Sequence, residues 1–95
     1  MVLDEFLPYV GREFLADGAP ATVALTLVEA KSLPDTGVAD RPPFNLLFRS
    51  TPDILLVSGI YALQTGGFGP NAVYISPIIA PPRSEPGYYY QAVFN

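Results

Sequence analysis

The clearest alternation of apolar and polar positions in the chain runs over Phe44-Asn45-Leu46-Leu47-Phe48-Arg49-Ser50. Phe44, Leu46 and Phe48 share one face of a two-residue repeat, while Asn45, Leu47 and Arg49 share the other. Arg41-Pro42-Pro43 precedes the segment and Ser50-Thr51-Pro52-Asp53 follows it as a turn. One wholly apolar face and one mixed face predict a strand inside a sheet, covered on one side and half covered on the other.

The same reading extends along the chain. Leu3, Phe6, Leu7 and Val10 keep the i, i+3, i+4, i+7 spacing of a short amphipathic helix, with Asp4 and Glu5 in its first turn. Pro8 limits that helix to one or two turns and Gly11 stops it, which suits a lid over the end of a barrel. Arg12 to Ala16 predicts a short strand ended by an Asp17-Gly18 turn. Ala21 to Ser32 predicts the longest strand, with Val23, Leu25 and Leu27 alternating against Thr22, Ala24 and Thr26. Leu33 to Pro43 reads as the longest loop before the central strand. Ile54-Leu55-Leu56-Val57 leads through a Ser58-Gly59 hairpin turn into a strand over Ile60 to Thr65. Gly66-Gly67-Phe68-Gly69-Pro70 reads as a turn into Ala72 to Ile79, where Pro77 marks an edge or a bend. After a second proline-rich loop, Ala80 to Gly87, the chain closes on Tyr88-Tyr89-Tyr90-Gln91-Ala92-Val93-Phe94, a strand by its aromatic and β-branched content. Short strands at close spacing with glycine and proline between them predict one all-β domain over residues 1–95. Its expected form is a small antiparallel sandwich or barrel of about six strands with a short N-terminal helix.

Composition changes this picture in two ways. The chain has no cysteine and no histidine among its 95 residues. Disulfides, thiolate chemistry and the commonest general base are thereby excluded. Hydrophobic residues make up 49% of the chain and charged ones 15%, against roughly 25% charged in average usage. A small domain has little interior, so part of that apolar surplus belongs on a surface that meets other protein. The net charge is -4, and Arg12, Lys31, Arg41, Arg49 and Arg83 are scattered singly along the sequence, which argues against nucleic acid as a ligand. No apolar run approaches the ~20 residues of a membrane span. The acidic start Met1-Val2-Leu3-Asp4-Glu5 is unlike a signal peptide, so synthesis in the cytoplasm is expected.

Candidate chemistry is sparse. Gly66-Gly67-Phe68-Gly69 lacks the following helix and Lys-Ser/Thr pair of a phosphate cradle. Ser58-Gly59 has Leu56 where a nucleophile elbow needs glycine, and a serine here has no histidine base. Asp4, Glu5, Asp17, Asp35, Asp40 and Asp53 lie in or beside turns or the helix start, where carboxylates cap and solvate. A carboxylate pair across the fold would serve a glycan hydrolase, but no spacing selects one. Arg49 is expected to pair with Glu29 or Glu13 across the sheet, or to anchor an interface. In Tyr88-Tyr89-Tyr90 the outer two face one way and Tyr89 the other, so both faces of the strand carry an aromatic. These tyrosines either cover the barrel or form a rigid contact surface.

The order Phe44-Asn45-Leu46-Leu47-Phe48-Arg49, Ser58-Gly59-Ile60-Tyr61-Ala62-Leu63, Ile75-Ser76-Pro77-Ile78 and Tyr90-Gln91-Ala92-Val93-Phe94-Asn95 resembles a family of small bacterial proteins of unknown function. Phe6 and Gly11 match its opening segment, and the resemblance covers nearly the whole chain. The chain departs from it at Gln91, where the family motif carries Glu, and at Ser50, where Gly is usual. The resemblance implies a β-rich fold and, because such genes lie near those for tail-collar proteins of the microcystin-dependent type, a tail-like or fibre setting. It implies no catalytic residue and no cofactor.

Together these observations predict a non-enzymatic structural protein without cofactor or metal. It would form a homo-oligomer or dock into a phage-tail-like, fibre or filament assembly, as part of a particle or an extracellular fibre. Burial of strand faces and edges would drive the contact, with Tyr88, Tyr89, Tyr90, Phe94, Phe68 and Arg49 as anchors. An adaptor or chaperone for a fibre protein is the alternative, and the glycan hydrolase a remote one.

Overall fold

The structure, a computed structural model, describes residues 2–17, 22–34 and 42–94. Six antiparallel strands form it: β1 (Glu13–Asp17), β2 (Thr22–Ser32), β3 (Phe44–Ser50), β4 (Gly59–Thr65), β5 (Phe68–Ile78) and β6 (Tyr88–Phe94). They close into a barrel in the order β1-β2-β3-β6-β5-β4. Gly18 of the expected first turn lies outside the described residues, as do Asp35, Asp40, Arg41 and Asn95.

β3 lies inside the sheet as its pattern predicts, and its neighbours are β2 and β6. Phe44, Leu46, Phe48 and Ser50 point inward and are buried, while Asn45, Leu47 and Arg49 are half-buried on the outside. β2 keeps the same alternation through Val23, Leu25 and Leu27. An irregularity between Leu27 and Glu29 then leaves Val28 without a partner on β3.

All six phenylalanines of the chain pack into one interior cluster, Phe94 at its margin and the other five buried. Phe6 is central to it, with ring centroids 5.0 Å from Phe68, 5.7 Å from Phe94 and 5.8 Å from Phe44. Phe6 therefore plugs one end of the barrel, and the N-terminal segment is a lid. Its geometry differs from the expected α-helix, being two single 3-10 turns, Leu3–Glu5 and Leu7–Tyr9, joined at Phe6. With three residues per turn, side chains repeat every third position. Leu3, Phe6 and Tyr9 accordingly face the core, whereas Leu7 and Val10 of the expected stripe are exposed. Gly11 and Arg12 fasten the lid by backbone hydrogen bonds with Leu27.

Two expected turns are corrected. Ser58-Gly59 is not a hairpin turn, since Gly59 already pairs with Ile75 as the first residue of β4. The turn after β4 is only Gly66-Gly67, because Thr65 pairs with Phe68 and the Phe68 ring belongs to the core. Pro77 lies beyond the last β4–β5 pair, where β5 has only β6 beside it.

Candidate functional site

A six-stranded barrel is too narrow to hold a ligand once large side chains fill it. Here Phe14, Leu25, Phe48, Leu63, Ile75 and Tyr90 all lie inside with no solvent exposure. Candidate sites are therefore sought on the outer surface, where two regions stand out.

The first is the outer face of β4 and β5. Ile60 and Tyr74 are direct cross-strand partners and are 71% and 59% exposed. The next outward pair is Ala62 with Ala72. Val93 of β6, two positions beyond the Gln91 that pairs with Ser76, is exposed as well. Val57, 73% exposed, lies two residues before β4. Exposed apolar side chains set side by side on neighbouring strands form a patch rather than isolated exceptions.

The second is a groove of about 750 Å³ over the outer face of β2 and β3, bounded by the loop between β5 and β6. Val28, Leu47, Ile78, Pro81 and Tyr89 give it apolar walls. Arg49 crosses it to reach the Glu85 carboxylate at 3.2 Å and the Pro86 carbonyl at 3.4 Å. Tyr89 donates its hydroxyl hydrogen to the Glu85 carbonyl at 2.8 Å, so β3 and β6 together hold the loop. Lys31 pairs with Glu29 at 3.6 Å on the β2 side. Asn45 Oδ1 is buried with no hydrogen-bond partner among the described residues. Arg83 occupies a turn with φ of 61°, a left-handed conformation that favours glycine or asparagine.

The anchors expected from the sequence divide between inside and outside. Phe68 and Tyr90 are core residues, and Phe94 stacks on Phe44 at 4.5 Å, so the aromatic contact surface expected from them is not on the exterior. Tyr89 does face outward, opposite to Tyr90, but the loop covers it to 3% exposure. Tyr88 alone of the three is exposed. Arg49 pairs with Glu85 rather than Glu29 or Glu13, because the register sets Thr26 opposite it on β2. Gln91 lies opposite Leu47, one outward position from the Arg49–Tyr89 pair.

The buried Tyr90 hydroxyl has a separate task. It accepts the Leu56 N–H at 3.0 Å and lies 2.9 Å from Ser50 Oγ, which also reaches the Ile54 carbonyl at 3.1 Å. This relay ties the 51–58 loop to the barrel. Among the described residues Ser50 is the buried residue of polar type, and its hydroxyl meets that of Tyr90 in an otherwise apolar interior. Two of the turn and lid carboxylates are occupied locally. Glu5 accepts the Val2 N–H at 2.7 Å, and the Thr51 hydroxyl bonded to Asp53 holds that carboxyl below its usual value. Among the described residues no group of acidic side chains converges to hold a metal, and no helix is long and apolar enough to cross a membrane.

Sequence reasoning missed the Ile60–Tyr74 patch because Ile60-Tyr61-Ala62-Leu63 and Val73-Tyr74-Ile75 are apolar at both parities. It missed the groove because Lys31, Arg49 and Arg83 are far apart in the chain and converge only in the fold.

The chain belongs to a family described as a domain of unknown function (DUF6916), whose profile matches residues 1–94. No curated protein and no solved structure matches it.

Proposed function

We propose that a chain of this family with this surface is a structural subunit that self-associates through the outer face of β4 and β5. The observation that carries the reading is the directly opposed pair Ile60 and Tyr74, apolar and open to solvent. Burial of such a face removes apolar area from water, and an aromatic flanked by smaller groups is a common hot spot. The ring of strands is closed, so contact is made by faces rather than by addition of strands to a free edge. Subunits of this kind suit a tail-like or fibre assembly. The groove on β2 and β3 favours a second reading, an adaptor that engages another protein.

The test is light scattering of the purified chain over a concentration series, beside Ile60→Ser and Tyr74→Ser. In a two-fold contact each substitution occurs twice, so the loss is roughly 3 kcal/mol or more, at least about a hundredfold in dissociation constant. An oligomer that falls to monomer in both variants supports the reading. A wild-type monomer at every concentration ends it.

A further inference from the structure

We propose that the groove over β2 and β3 binds an extended acidic peptide segment of a partner protein, with Arg83 receiving its carboxylate. Three observations converge on it. First, the groove collects three of the five basic residues of an acidic chain, Lys31, Arg49 and Arg83. Two of these are engaged, Lys31 with Glu29 and Arg49 with Glu85, whereas Arg83 makes no ion pair within the described residues. A guanidinium at the rim of an apolar groove is suited to a carboxylate, which it grips with two parallel hydrogen bonds.

Second, Arg83 sits in a conformation that disfavours any side chain. Its φ of 61° belongs to the left-handed region, at the second central position of a turn where glycine would fit without strain. Ser84 Oγ donates to the Pro81 carbonyl at 2.6 Å and closes this turn, and Glu85 just beyond it is held by Arg49 and Tyr89. The loop therefore presents Arg83 at a fixed place on the groove wall. Strained residues of this kind gather where a side chain is needed for binding.

Third, the groove has an apolar wall beside these cations. Val28 of β2, Leu47 of β3 and Ile78 of β5 line it, and Asn45 lies on the outer face between Lys31 of β2 and Val93 of β6. Such a wall takes an apolar side chain of an extended peptide while the neighbouring residue of the peptide faces Arg83. One peptide with an acidic and an apolar residue in alternation answers all three features. This site is distinct from the β4–β5 face, so it stands whether or not the chain self-associates.

The test uses a fluorescent peptide of alternating aspartate and leucine, acetylated and amidated so that only side chains carry charge. The same peptide with asparagine for aspartate is the control. Anisotropy is measured with the wild-type chain, Arg83→Gly and Ile60→Ser, together with amide shifts of the wild type. The acidic peptide should bind wild type and Ile60→Ser alike, weaken with salt, and shift the Asn45 and Arg83 signals. Arg83→Gly should weaken binding about tenfold or more while its thermal midpoint stays level or rises, because glycine relieves the left-handed backbone. A purely structural Arg83 would lower the midpoint and leave binding unchanged. The proposal is overturned by equal binding of both peptides, by no binding at all, or by undiminished binding to Arg83→Gly. Loss of binding in Ile60→Ser would overturn the placement in the groove, whereas a monomeric wild type that still binds would end only the self-association reading.

Discussion

Replacing Tyr90 with Phe removes one oxygen atom from the centre of the relay that fixes the 51–58 loop. The ring stays where it is, since Tyr90 is fully buried between Phe48 on β3 and Pro77 on β5, its cross-strand partners. What is lost is the acceptor for the Leu56 N–H at 3.0 Å and the partner of Ser50 Oγ at 2.9 Å. Each such bond contributes about 1 kcal/mol net, and a donor left buried without a partner costs a further ~1 kcal/mol or more. Ser50 Oγ keeps the Ile54 and Thr51 carbonyls as acceptors, so its share is the smaller one. The sum is about 2 kcal/mol. For a domain of this size that lowers the thermal midpoint by roughly 8–16 °C. Urea unfolding followed by circular dichroism measures the loss directly, with an unchanged slope if the barrel remains intact. Hydrogen exchange adds a local reading, in which the Leu56 amide should lose protection while the β3 amides keep theirs. A second variant, Ser50→Ala, closes a double-mutant cycle whose coupling should be about 1 kcal/mol. A loss below about 0.5 kcal/mol, or an unaltered Leu56 amide, would show that the hydroxyl relay does not hold the loop.

Two further substitutions test the packing. Phe6→Ala empties the plug that contacts Phe44, Phe68 and Phe94, and should cost about 3–5 kcal/mol by chemical denaturation. A cost near 1 kcal/mol would mean the lid is not part of the cooperative core. Gly87→Ala should be among the most damaging single changes, because its Cβ would overlap the Ser50 carbonyl oxygen at a φ of +143°. Ser50 and Tyr88 begin the β3–β6 ladder beside it, so loss of the β3–β6 amide protection should accompany the loss of stability.

Much of the barrel was legible because β3 over its whole length and β2 up to its irregularity after Leu27 obey one parity. Phe44, Leu46 and Phe48 alternate with polar or mixed positions, and Val23, Leu25 and Leu27 do likewise, so inward and outward faces follow from the sequence alone. Tyr89 and Tyr90 had the correct relative orientation for the same reason. Their burial was not legible, since it depends on the 79–87 loop returning over Tyr89 and on β5 lying beside Tyr90. The period of the N-terminal turns escaped the pattern because Leu3, Phe6, Leu7, Tyr9 and Val10 satisfy both a 3.0 and a 3.6 repeat. Packing of Tyr9 against Phe14 and Phe68 selects the first.

By itself the sequence determined the class of object. Alternation at period two, prolines and glycines between the strands, and an apolar surplus without histidine or cysteine point to an all-β domain of about six short antiparallel strands, a sandwich or a barrel. Closure into a barrel is a property of the structure. Those sequence features are local, and each can be read within a few residues. Tertiary structure decided everything that depends on residues far apart in the chain. It chose Glu85 as the partner of Arg49, drew Phe68 and Tyr90 inside, left Ile60 and Tyr74 outside, and gathered Lys31, Arg49 and Arg83 around one groove. Strand register and loop paths set these neighbours, and both are fixed only when the barrel closes and its aromatic interior packs as a whole.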